Sequence, residues 1–273
     1  MMIESMANKQ TKQIQKLMKQ SRARKQEQCF VVEGWKMVAE ALMRDLVLHL
    51  YVKESETDTY EHKLQESGCG TLSSGVPIDF VRDSLFLQLS NTVTPQGILA
   101  TVKIPYYDWQ DVATGQAGGI YEEAKLLVLE DIQDPGNMGT ILRTAEGAGM
   151  SGVILSKGCV DIFNPKVVRS TMGALFRVPF FVCEDIVSRI KELQEQGFSF
   201  YAAHLQGQED FTRVSYQGKL GILIGNEAKG LSREMSELAD VKVKIPMEGE
   251  LESLNAAVSA ALFAYEVHRG KEV

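Results

Sequence analysis

From Lys125 onward the chain alternates apolar runs of strand length with stretches of helical period. Strands are expected at 126–130, 152–156, 198–203, 220–224 and 241–245, and helices near 138–148, 165–174, 185–196, 232–238 and 252–268. Strands separated by helices cannot pair as hairpins. They call for a mostly parallel sheet covered on both faces, since an uncovered parallel sheet would leave its continuous apolar runs in water. The fold class that follows is α/β, and pattern alone makes this an ordinary doubly wound domain.

The first half has a different texture. Residues 9–27 are polar and helix-favouring, with a narrow apolar stripe at Ile14, Leu17 and Met18, and read as one basic surface helix. Strand candidates at 29–33, 47–52 and 78–81, with helices at 35–43, 60–65 and near 83–90, make a smaller α/β unit. Thr94-Pro95-Gln96-Gly97-Ile98 interrupts the pattern, and 105–122 has no sustained period. The 273 residues therefore divide into 1–104, a linker over 105–122, and 123–273.

The net charge of −7 is unusual for a chain that would contact phosphates. Its distribution alters that reading. Lys9, Lys12, Lys16, Lys19, Arg22, Arg24 and Lys25 follow one another with no Asp or Glu between them, which places a basic surface at one end. No apolar run has the length of a membrane span and no signal-peptide pattern opens the chain, so a cytoplasmic protein with no membrane partner is expected. Cys29, Cys69, Cys159 and Cys183 form no C-x-x-C pair, so no metal is expected.

Three segments place small and amide-bearing residues directly after strands, where backbone groups can be aimed at a ligand. The first, 134–145, has Pro135 to force a turn, Asn137 suited to cap the following helix, and Arg143 one and a half turns later. The second, Ile224-Gly225-Asn226-Glu227-Ala228-Lys229-Gly230-Leu231-Ser232, offers a carboxylate between two glycines. The third, 245–255, turns through Pro246 and Gly249 before Ser253-Leu254-Asn255, with Glu252 or Ser253 expected to cap the last helix. Each segment alone also reads as a capped or glycine-bounded turn. Neither G-x-x-x-x-G-K-[ST] nor G-x-G-x-x-G occurs, which counts against ATP hydrolysis and hydride transfer.

Taken together, these segments resemble the three signature motifs of the SpoU (TrmH-like) RNA ribose 2'-O-methyltransferases of the SPOUT superfamily. The resemblance implies a C-terminal trefoil-knot domain, S-adenosyl-L-methionine as cofactor, a homodimer, and RNA as substrate, ribosomal first and transfer RNA second. It also implies site residues. Asn137, Arg143, Glu227, Ser253 and Asn255 match the active site, and Gly225, Ile245 and Leu254 match positions whose backbone holds the cofactor. One departure stands after Asn255, where many relatives have Val and Ser and this chain has Ala256 and Ala257. The family assigns the matching arginine as the base. Arginine normally stays protonated, however, so a role in steadying the alkoxide and a nearby phosphate is the chemically simpler one.

Glu33-Gly34 with the following helix ending in Glu40-Ala41-Leu42 resembles the L30e-like RNA substrate-binding domain of these enzymes, which would occupy 1–104, and Asn164–Ala174, with Lys166 and Arg169, resembles a segment facing RNA. Arg22, Arg24, Lys166 and Arg169 are therefore the RNA-binding candidates, although solvated helix charges describe them equally well. An RNA-binding assembly factor on the same fold and a base-modifying knotted enzyme are the alternatives.

Overall fold

The structure, a computed structural model, describes residues 1–69, 75–115 and 123–270. The chain forms two compact units. One contains Met1–Tyr106 and Phe163–Phe176, the other Tyr107–Ile162 and Arg177–Val273. Of the stretch expected as a linker, 116–122 lies outside the described residues. Just before it, Trp109–Thr114 is a helix whose Trp109, Val112 and Ala113 are buried in the core of the second unit.

In the first unit the elements run β1 (Met2–Ile3), α1 (Lys9–Lys19), α2 (Ser21–Glu27), β2 (Cys29–Glu33), α3 (Trp35–Leu42), β3 (Val47–Lys53), α4 (Tyr60–Glu66), β4 (Ile78–Val81), α5 (Asp83–Leu89) and β5 (Ile98–Lys103). Among the described residues the strands form a five-stranded mixed sheet in the order β1-β4-β3-β5-β2. Ile14, Leu17 and Met18 of α1 bury the expected apolar stripe beside Val31, Tyr51, Phe86 and Leu99. The single basic helix expected over 9–27 is two helices. Gln20 is extended (φ −123°, ψ 113°) and ends α1, and α2 starts in a new direction.

In the second unit α6 (Trp109–Thr114), β6 (Lys125–Leu129), α7 (Pro135–Gly147) and β7 (Gly152–Ser156) lead to the excursion containing α8 (Pro165–Ser170). There follow β8 (Phe180–Cys183), α9 (Ile186–Glu195), β9 (Ser199–Ala203), β10 (Glu209–Asp210), β11 (Leu220–Ile224), α10 (Arg233–Leu238), β12 (Val241–Lys244) and α11 (Ala256–Arg269). The strands pair as β10-β12-β9-β11-β6-β7-β8 among the described residues, and every pairing is parallel. Strands β6, β7 and β11 are buried along their whole length, as continuous apolar runs between two helical layers must be. One layer holds Trp109, Ile186, Ile190, Leu193 and Met235 against the sheet. On α11, Ala256, Ala257, Ala260 and Ala264 are buried, and α11 packs against α7. Small side chains permit that close approach.

The excursion Phe163–Phe176 belongs to the first unit, not with the surrounding sheet. Asn164 caps α8 by accepting from the Lys166 amide (3.0 Å), with Pro165 in the first turn. Phe30 of β2 meets the Phe163 ring at 4.9 Å and the Phe176 ring at 6.1 Å, and Arg44 Nε donates to the Phe176 carbonyl (2.7 Å). These contacts anchor a stretch that the sequence pattern assigns wholly to the second half of the chain.

Candidate active site

Because all strands of the larger sheet run the same way, their carboxyl ends share one edge. The loops after β6 and β11 emerge side by side there, at the point where the strand order turns outward in both directions. Open α/β sheets place ligands at this kind of switch point. An open cleft of about 720 Å³ lies between these loops, lined in part by Glu130, Asp134, Glu227 and Lys229; of the expected site residues only Glu227 lines it, while Asn137, Gly225, Ile245, Leu254 and Asn255 lie outside its walls.

The two loops are bound together through Glu227. Its Oε2 accepts from the Gln133 amide (3.0 Å), and its Oε1 accepts from the Asp134 amide (3.0 Å) and from Asn137 Nδ2 (3.0 Å). Burial would raise the Glu227 carboxyl above the usual range. The donors, Asn137 first and then the Asp134 and Gln133 amides, outweigh it and hold the group below that range. Asn137 Oδ1 in turn accepts from Asn255 Nδ2 (2.9 Å), so one chain of hydrogen bonds joins all three sequence motifs.

Local chemistry explains why these side chains are so placed. Asp134, not Asn137, is the N-cap of α7; its Oδ1 accepts from the Asn137 amide (2.8 Å), with Pro135 supplying the first turn. That frees the Asn137 side chain, 9% exposed, for Glu227 and Asn255. At α11 the cap is Asn255, neither Glu252 nor Ser253. Its Oδ1 accepts from the Ala257 and Val258 amides (2.9 and 3.3 Å) while Nδ2 reaches Asn137, so the helix starts at Ala256. The cap and the site contact are made by the same amide.

Gly225 follows β11 where the chain folds back on itself. Asn226 and Gly230 exchange two backbone hydrogen bonds (3.0 and 2.9 Å), and a Cβ on Gly225 would fall 2.1 Å from the Leu231 nitrogen. Ile245 directly follows β12, and Leu254 directly precedes Asn255; both are half-buried. Among the described residues neither makes a hydrogen bond, which leaves their amides and carbonyls available to a ligand with an adenine ring. The residues present thus fit a nucleoside-bearing cofactor: a closely turned glycine, two apolar side chains, and unengaged backbone.

Other expected residues stand apart from this chain of bonds. Arg143 lies on α7 about 9 Å along the axis from Asn137 at the helical rise. It is exposed, and its side chain makes no hydrogen bond or ion pair among the described residues. Ser253 is exposed and also makes no hydrogen bond there. Arg22, Lys166 and Arg169 are exposed, and all three belong to the first unit. Arg24 corrects the expectation of an RNA contact. It is 3% exposed, and its Nη1 donates to the Leu17 and Met18 carbonyls at the end of α1. A guanidinium committed to helix carbonyls is an anchor for the α1–α2 corner.

The sequence motifs pass over the loop after β9. The order β12-β9-β11 sets the end of β9 between Gly225 and Ile245, so His204 and Leu205 flank the same region. Burial, then Lys242, holds the His204 imidazole below its ordinary range. The exposed Leu205 is the available signal, an apolar side chain just past a buried strand.

Residues 124–265 match the SpoU rRNA Methylase family, and residues 8–100 match the MRM3-like substrate binding domain. The chain belongs to the SpoU family. Members of this family use S-adenosylmethionine. Among relatives, the 23S rRNA (guanosine(2553)-2'-O)-methyltransferase RlmP of Bacillus subtilis is 31% identical, over 97% of this chain and 98% of its own length. An AdoMet-bound rRNA methyltransferase from Sinorhizobium meliloti superposes with a TM-score of 0.83 at 27% identity, covering 98% of this chain and 97% of its own. The SpoU methyltransferase AviRb of Streptomyces viridochromogenes, in complex with AdoMet, gives 0.82 at 25% identity over 97% and 99%.

Proposed function

We propose that this SpoU protein transfers a methyl group from S-adenosylmethionine to a ribose 2'-oxygen of ribosomal RNA. The observation that carries the reading is the hydrogen-bonded chain from Asn255 through Asn137 to Glu227, which ties the three motifs to one edge of the sheet. When bound, the cofactor supplies an already activated sulfonium methyl. The protein's residues then have to orient the donor and the acceptor and to stabilise developing charge. Gly225, Ile245 and Leu254 hold the nucleoside. Asn137 and Asn255, locked by their mutual bond, present fixed amides, and Glu227 keeps Asn137 in one orientation. Arg143, exposed and uncommitted, steadies the 2'-alkoxide and an adjacent RNA phosphate. Ser253 lines the acceptor side.

The same reading assigns RNA docking to the first unit, through Arg22, Lys166 and Arg169. It further assigns a C-terminal trefoil knot, supported by the insertion of β11 between β9 and β6. A homodimer is supported by Val258, Leu262 and Tyr265, exposed at helical spacing on α11. Among the described residues no helix is long and apolar enough to cross a membrane. We place the protein in the cytoplasm, where its proposed substrate is.

Mapping alkali-resistant ribose positions in ribosomal RNA from cells with and without the gene tests the activity. One position losing its 2'-O-methyl group in the deletion strain is expected. An unchanged map, or a lost base modification on an unmethylated ribose, refutes the reading. Light scattering at micromolar concentration tests the dimer, and a monomer removes it.

A further inference from the structure

Asp131 is one of four non-glycine residues with positive φ among the described residues (φ 54°). A left-handed backbone is disfavoured for a residue with a Cβ, less so for Asp and Asn, and its surroundings can enforce it. Here they do so from two sides. The Asp131 amide donates to Ser156 Oγ (2.9 Å), whose hydroxyl donates back to Asp131 Oδ1 (2.6 Å). The loop after β7 runs close against the same carboxylate, although Asp131 as a whole stays exposed. A Cβ on Gly158 would lie 1.9 Å from Asp131 Oδ1, and the Val160 amide donates to the Ile132 carbonyl (2.8 Å). From the other side, Asn226 Nδ2 donates to the Asp131 carbonyl (2.7 Å). Two residues further on, the chain delivers the Gln133 and Asp134 amides to Glu227.

We propose that Asp131 is a positioning residue for methyl transfer: gripped between the loops after β7 and β11, its left-handed backbone aims the Gln133 and Asp134 amides at Glu227 and so fixes the orientation of Asn137. This rests on the function proposed above. Asp131 acts through Glu227 and does not itself touch the reacting atoms. Asn at this position keeps an acceptor for Ser156 and tolerates the left-handed region, whereas Ala keeps neither advantage.

The test compares Asp131→Ala and Asp131→Asn in the full-length protein, by amide hydrogen exchange and by methyl-transfer kinetics. Asp131→Ala is expected to speed exchange at Gln133 and Asp134 about tenfold or more while leaving β6 protected. The kcat should fall about tenfold or more, with the cofactor KM within about twofold, because a small misplacement costs rate more than binding. Asp131→Asn should restore both to near wild type. Should Asp131→Ala fail to fold, Asp131→Gly, which accepts the backbone but lacks the carboxylate, is read in the same way. Unchanged exchange at Gln133 and Asp134 in a folded variant overturns the proposal, as does an equal loss in Asp131→Asn. If the wild-type protein methylates no ribosomal RNA, the proposed function fails, while exchange still decides separately whether Asp131 orders the Glu227 amides.

Discussion

Replacing Asn137 by Asp exchanges one amide nitrogen for an oxygen in the centre of the hydrogen-bonded chain and has a calculable effect. Asn137 Nδ2 lies 3.0 Å from Glu227 Oε1, so in Asn137→Asp two carboxylates would face each other at that separation. Their repulsion is about 1.4 kcal/mol if fully solvated and about 5.5 kcal/mol at an effective dielectric of 20. Glu227 is exposed and Asn137 buried, which argues for the lower half of that range, about 2 kcal/mol. Losing the donated hydrogen bond adds about 1 kcal/mol, and the favourable placement of an anion in the first turn of α7 returns roughly 0.5 kcal/mol. The net expectation is a loss of about 2–3 kcal/mol at pH 7.

The pH dependence carries the decisive sign. In the wild type the Glu227 carboxyl titrates below its unfolded value. Its stabilisation is therefore present above about pH 4.3 and is lost as pH falls through the lowered folded value. In Asn137→Asp the mutual repulsion raises the folded titration of the carboxyl pair. The folded state then binds a proton more readily than the unfolded chain, and the destabilisation is relieved as pH falls from about 6 toward about 4. Urea unfolding at several pH values between about 7 and about 4.5 measures both curves. Parallel curves, or a variant as stable as wild type at pH 7, would show that Asn137 and Glu227 do not share this contact.

Four further outcomes follow from individual residues. Arg143→Ala should reduce methyl transfer by about a hundredfold or more while cofactor affinity by calorimetry stays nearly unchanged, as expected of an exposed residue acting on developing charge; lost cofactor binding with a normal residual rate counts against this. Gly225→Ala, whose Cβ would meet the Leu231 nitrogen at 2.1 Å, should weaken cofactor binding and cost about 1–3 kcal/mol of stability in urea melts. Arg24→Ala should cost about 2 kcal/mol by leaving the α1 carbonyls without their charged donor, yet leave the salt dependence of RNA binding intact. Arg22→Ala, Lys166→Ala and Arg169→Ala should each lower the salt slope of RNA binding by up to about 1 with little change in stability, and an unchanged slope marks a merely solvated charge.

The buried strands are readable because continuous apolar runs between glycines and polar turns have few other uses. All five expected strands of the larger sheet occur within a residue or so of the expected bounds. Strand β8 escapes such reading because Phe180–Cys183 is a four-residue run set off by Pro179 on one side and Glu184 on the other. Caps are harder. Asp134 and Asn137 both suit a helix start, and only the pull of Glu227 and Asn255 on the Asn137 side chain decides between them. The pairing of Asn137 with residues far along the chain is invisible to local pattern, and the family resemblance groups those residues without showing their bonds. Arg24 misleads for a related reason. The break at Gln20 turns α2 back so that a basic side chain reaches the carbonyl end of α1, and net charge does not register such a fold. The assignment of 163–176 to the first unit depends on Phe30 and Arg44, whose partners follow more than a hundred residues later.

That shared excursion has a consequence for biogenesis. Domains tend to fold as they leave the ribosome, amino-terminal first. Here the strands of the smaller sheet are complete once Lys103 has emerged, but the Phe30 ring finds Phe163 and Phe176 only after β6, α7 and β7 have also been synthesised. The nascent N-terminal unit therefore presents an uncovered aromatic patch until the first strands of the catalytic sheet exist. A fragment cut after Tyr106 would keep that patch permanently and should clump, so dissecting this enzyme at its apparent boundary removes part of what makes its first half soluble.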